Sequence, residues 1–168
     1  MYADIEGAVR LVRHAAEFEW TWSESDLRDF SLRVNWRLEF IQDGAAKLVT
    51  DFAVNRRDAR VFLFHSRIEY ISAPVSDVIV PKGRDVADQA LWRFRDLGSA
   101  LSEGLGMPYQ VREFSSGDEI FWKLSKVVVA LMRSSRAVHM FIYSPQRWEL
   151  DEEMRRQDAE TQELYEEE

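Results

Sequence analysis

The side chains in this sequence that could do acid-base, nucleophilic or metal chemistry are few and scattered. His14, His65 and His139 fall in three different segments, and none has a second histidine or an acid at the spacing of a metal-binding helix. His65 and His139 alternate with apolar neighbours, which puts each on the strand face opposite the best-packed one. The absence of cysteine excludes disulfides, thiolate nucleophiles and zinc-thiolate centres. No serine sits in a Gly-x-Ser-x-Gly elbow, and the glycines of Gly104-Leu105-Gly106 follow a helical stretch, where a dinucleotide fingerprint must precede one. Asp85 and Asp88 fall in the first turn of that helix and interact favourably with its dipole. Carboxylates acting as general acid or base depend on tertiary pKa tuning, so a small enzyme stays as an alternative. The residue types themselves assign no catalytic, cofactor-binding or metal-ligating set, and the expectation is a non-enzymatic protein without a cofactor.

Binding chemistry is better represented. Six tryptophans are many for 168 residues; Trp92 lies one step off an apolar helical stripe, and Trp148 directly precedes a run of acids. The net charge of −8 is unevenly spread: residues 151–168 carry nine acids against two arginines, whereas residues 1–150 carry 21 acids and 20 bases. The body is thus balanced; the tail would disfavour a polyanion, and it reads either as a solvating, disordered end or as an electrostatic arm steering a basic partner. Arg56, Arg57 and Arg60 cluster at one turn, but no helix-turn-helix spacing, aromatic RNP-like strand or overall basic balance accompanies them, so no nucleic-acid partner is expected. The expected partner is a protein, contacted through Trp92, Trp148, Glu149, Asp151, Glu152, Glu153 and Asp158. The chain lacks a run of about 18 apolar residues and a signal-like N-terminus, so no membrane partner and a cytoplasmic location are expected.

Periodicity supplies the elements that must position these groups. Residues 4–18 and 24–34 read as helices, the second opened by Ser23 and Asp26 in a capping-box arrangement. Trp20 and Trp22 then belong to a corner between helices rather than to a recognition site. Residues 36–54 alternate around Asp43-Gly44, a hairpin signal, and residues 59–73 read as one long strand placing Phe62, Phe64, Ile68 and Tyr70 on one face. Val86, Ala90, Leu91, Phe94, Leu97, Leu101 and Leu105 mark a long helix closed by Gly106 and Pro108. Three strands follow over 109–114, 119–132 and 137–144, and Ser144-Pro145 opens a last, acidic helix whose terminal glutamates favour fraying. The expectation is an α+β fold of order ααβββαβββα. An antiparallel sheet of about six strands has helices mainly on one face, with residues 1–147 as one domain and 148–168 as an acidic C-terminal helix or tail.

The motifs "EFEWTW", "VNWRLEF", "LGMP", "FWKLSKVVVALM" and "AVHMFIYSP" resemble an uncharacterised actinobacterial family with a domain of unknown function, itself similar to immunity proteins of polymorphic toxins. The resemblance spans most of residues 5–148 and implies neutralisation of a cognate, often basic, toxin by tight binding, without chemistry by the immunity protein. The element order is also similar to that of type III secretion chaperones, which would imply a homodimer holding an effector segment. A monomer is compatible with the first reading.

Overall fold

From a computed structural model we describe all residues except 43, 81–83, 115, 116, 167 and 168, and all side chains of these except those of residues 159–166. Two helices, α1 (Ile5–Glu17) and α2 (Asp26–Arg33), precede four strands: β1 (Arg37–Gln42), β2 (Ala45–Val49), β3 (Asp58–Phe64) and β4 (Arg67–Pro74). Helix α3 (Arg84–Leu105) leads to β5 (Gln110–Phe114), β6 (Gly117–Lys123), β7 (Val128–Arg133) and β8 (Val138–Tyr143), and α4 (Pro145–Glu166) ends the order. The strands form one antiparallel sheet, β1-β2-β3-β4-β8-β7-β6-β5, so each four-strand meander contributes one half and β4 meets β8 at the centre.

The α+β class and the helix positions agree with the sequence reading, but the sheet has eight strands rather than about six. Both extra strands come from turns inside stretches that read as continuous. His65 and Ser66 adopt left-handed conformations with φ 48° and 59°, which reverse the chain between β3 and β4 without the Asn-Gly or Asp-Gly pair that usually signals such a turn. Leu124 N donates to Val127 O to close the β6–β7 turn. The reversal and an irregularity at Phe62/Leu63 also correct one face assignment: Ile68 pairs with Leu63 and is buried in the core, while Phe62 and Tyr70 pair on the other side. The Asp43 half of the expected hairpin signal, the 81–83 part of the expected loop, the Ser115-Ser116 part of the expected turn and the fraying expected of the last glutamates lie outside the described residues.

Alternation along the strands divides the sheet into two faces. Ala59, Val61 and Leu63 of β3, Val129 and Leu131 of β7, and Val138, Met140 and Ile142 of β8 build the main core with Leu11 and Val12 of α1, Leu27 and Phe30 of α2, and Phe94, Leu97 and Leu101 of α3. A smaller cluster on the opposite face holds Phe121, Val128, Ala130 and Tyr143 under Trp148 of α4. Three helices therefore cover one face and α4 covers part of the other.

Two local devices set the helix entries. Asp4 accepts hydrogen bonds from Gly7 N and Ala53 N, capping α1 and tying it to the loop after β2; a Cβ on Gly7 would collide with the Asp4 carboxylate and the Phe52 ring. The expected capping box at Ser23 is replaced by a different solution: α2 starts at Asp26, whose buried carboxylate accepts from Thr21 N, Trp22 N and Thr21 Oγ1. Trp22 sits there at φ 59°, its ring stacked on Trp20 at 4.4 Å, while the Trp20 indole donates to Ala15 O. The tryptophan pair is the corner that the sequence suggests, packed against Phe18 and Phe30.

Candidate functional site

The sequence-derived contact residues do not form one surface. Trp92 is 69% exposed on α3, in keeping with its place off the apolar stripe. Trp148 is 2% exposed and cannot anchor a partner: its ring lies 4.6 Å from Phe121 and 6.0 Å from Tyr143, because it supplies the apolar footing by which α4 sits on the sheet. Since α3 and α4 pack on opposite faces, Trp92 is separated from the acidic helix by the sheet.

Several of the α4 acids are committed within the fold. Glu152 accepts from Arg112 Nη2 at 2.5 Å, and Asp151 pairs with Arg147 at 2.7 Å. Glu149 faces Lys123 at 3.8 Å and Glu153 faces Arg156 at 3.8 Å, both largely exposed, and Asp158 is exposed. Arg112 holds the arrangement together. Its guanidinium lies 4.7 Å from the Phe121 ring centroid and 5.5 Å from that of Trp148, so cation–π contacts add to the Glu152 ion pair. Glu119 lies 3.8 Å from the same guanidinium without hydrogen-bonding it, and its pKa is raised chiefly by burial.

The half of this face that α4 leaves uncovered carries the most distinctive surface. Register places Phe40, Lys47, Arg60, Ser72 and Phe141 in one row across β1, β2, β3, β4 and β8. Ala45, Phe62, Tyr70 and Tyr143 form the next row. Phe62 and Tyr70 stack at 5.5 Å, and Tyr70 lies 5.8 Å from Phe141, while Phe40 and Phe62 remain 41% and 38% exposed. Two contiguous open troughs of about 590 and 660 Å³ run over these rows and share Asp58, Arg60, Ser72 and Phe141. The first extends to Arg56, His139 and Arg133, and the second to Phe40 and Lys47.

The charges in the troughs are unequal in their freedom. Asp58 is paired with Lys47 at 3.2 Å and Arg133 with Asp118 at 2.8 Å, whereas Arg56 and Arg60 are exposed and have no ion pair among the described residues. His139 lies on this face, as its alternation suggests, and its pKa is lowered, first by burial and then by the charge of Arg60, so it is neutral at pH 7. Together these groups offer flat aromatic area with a fixed positive edge, a chemistry of recognition. Among the described residues there is no group of three His, Asp or Glu side chains that could hold a metal ion, and no helix is long and apolar enough to cross a membrane.

Residue chemistry drew attention to α4 and Trp92 and passed over this face. A signal was present in the alternation of Arg60, Phe62 and Phe64 and in the Arg56/Arg60 cluster. The join between β4 and β8, which brings Phe141 beside Tyr70, has no local sequence signature.

A family model described as a family of unknown function, DUF6301, matches residues 6–144, from the first turn of α1 through all eight strands to the residue before α4. No curated protein and no solved structure matches the chain. The protein belongs to the DUF6301 family.

Proposed function

We propose that this DUF6301 member is a non-enzymatic binding protein, acting in the manner of an immunity protein, and that it neutralises a cognate protein by covering it with the uncovered half of its sheet. The observation that carries this reading is the cluster of Phe40, Phe62, Tyr70 and Phe141 over two adjacent rows of the sheet, with Arg60, which has no ion pair among the described residues, between Phe40 and Phe141, on a face that the described helices leave open. Exposed contiguous aromatic surface edged by charge is what specific protein interfaces use. The immunity role itself draws on the sequence motifs.

Isolation of the native partner and a toxicity assay test the proposal. Co-expression of the wild-type chain should rescue cells from the partner, and Phe62→Ala with Tyr70→Ala should abolish rescue without unfolding the protein. Rescue that survives these changes, or a partner without toxicity, counts against it. A homodimeric chaperone for a secreted effector is the second reading, favoured by exposed Tyr109, Val111 and Phe114 on the β5 edge. It requires a dimer in solution and an extended, unfolded bound segment.

A further inference from the structure

The covered half of the second face indicates what the uncovered half is built to hold. There, one helix sits on the sheet by placing an aromatic ring among strand aromatics and a carboxylate, one turn later, on a strand arginine: Trp148 fills the Phe121–Tyr143 cluster while Glu152 meets Arg112. The open half repeats those parts without the helix. Arg60 stands in the row beside the Phe62–Tyr70 stack, with Phe141 completing the ring cluster. From β1 to β4 this half spans three inter-strand spacings, about 14 Å, enough for one helix of about 10 Å diameter beside α4.

Building on the binding role proposed above, we infer that the open half of the sheet is a docking site for an acidic amphipathic helix of a partner protein, its aromatic side chain seated on Phe62, Tyr70 and Phe141 and its carboxylates on Arg60 and Arg56. Charge complementarity selects this occupant. Of the trough acids, Asp58 is paired with Lys47 and Glu119 lies 3.8 Å from Arg112, and the trough cations with no ion pair among the described residues are Arg56 and Arg60. A nucleic-acid strand would bring one negative charge per nucleotide toward a charge-balanced body and a tail with nine acids against two arginines, whereas a helix brings a few carboxylates interleaved with apolar side chains. A partner that is basic overall can still present such a helix.

The chain itself provides a probe with the required chemistry. A fluorescently labelled peptide of residues 145–166, carrying Trp148 and Glu152, is titrated into the full-length protein at low salt, beside a peptide with Asp151→Lys and Glu152→Lys. The expected result is saturable binding of the acidic peptide only, weakened about tenfold or more by Arg60→Gln or Phe62→Ala, the size expected for losing one charge-assisted contact or one aromatic anchor. Trp92→Ala should leave it unchanged. Equal binding of the lysine peptide, or acidic-peptide binding indifferent to both Arg60→Gln and Phe62→Ala, overturns the inference. So does tighter, Arg60-dependent binding of poly(U), which would make the occupant a nucleic acid. A full-length dimer broken by Arg60→Gln would make it a second copy and likewise overturn the inference. If the peptide fails while Phe62→Ala still abolishes capture of the native partner, the acidic-helix inference falls and the binding role stands; if Phe62→Ala affects neither, both fall.

Discussion

Replacing Trp148 with alanine probes how the second face is built. The indole is 2% exposed and touches Phe121, Tyr143 and the Arg112 guanidinium, so truncation removes most of the apolar footing of α4. A buried tryptophan hides about 200 Å² of surface, which at about 25 cal/mol per Å² is worth up to about 5 kcal/mol. Core Trp→Ala changes cost about 3–5 kcal/mol. The site lies at the start of a terminal helix, so the loss is limited by the free energy of peeling α4 from the sheet: once detached, α4 no longer transmits the cavity cost to the main core. The expected effect is a melting temperature lowered by roughly 10 °C, at about 2–4 °C per kcal/mol for a chain of this size. Hydrogen exchange should show loss of protection across residues 145–158 while β3, β4, β7 and β8 keep theirs. A shift below about 2 °C with α4 protection intact would refute the assignment of Trp148 as the anchor of α4.

Other perturbations test separate parts of the molecule. Asp26→Ala leaves Thr21 N and Trp22 N without their acceptor at a buried corner and should cost about 2–3 kcal/mol in urea unfolding. Glu119→Gln should be neutral or mildly stabilising at pH 7, because the carboxylate is half-buried, raised in pKa by burial and not hydrogen-bonded to Arg112; chemical denaturation measures this. His139 is held below the ordinary 6.5, so the unfolded chain binds its proton first; the stability that neutral His139 contributes is present above pH 6.5 and is lost as pH falls below it. NMR titration of Arg60→Gln should show the His139 pKa moving up toward 6.5, since one of the two causes of its depression is removed. Gly117→Ala should prevent normal pairing of the β6 start, because a Cβ there would collide with the Arg133 carbonyl, and calorimetry should find the variant severely destabilised.

Local pattern made much of this fold legible. The stripes of Val9 and Val12, and of Phe94, Leu97 and Leu101, lie on the faces of α1 and α3 that pack on the sheet. Ser144 caps α4 as its pairing with Pro145 suggests, accepting from Arg147 N. The strand count was hidden at His65-Ser66, where neither residue is the glycine, asparagine or aspartate usual in a two-residue hairpin turn yet both take left-handed conformations, held by Ser66 O accepting from Glu24 N and Trp22 O accepting from Ile68 N across the helix corner. The candidate surface was hidden for a different reason. Phe62 reads as an ordinary strand aromatic until the sheet order places Tyr70 and Phe141 beside it and leaves no helix over them. Trp148 reads as exposed because it adjoins a run of acids, yet those acids are held beside it by Arg112 and Arg147.

The most direct measurement is a hydrogen-exchange footprint of the full-length protein in complex with its purified native partner. Added protection over β1 to β4, centred on Phe62 and Tyr70 and absent from the outer face of α3, is the result expected of recognition by the open half of the sheet. Protection confined to the α3 segment around Trp92, with the strands unchanged, would contradict it.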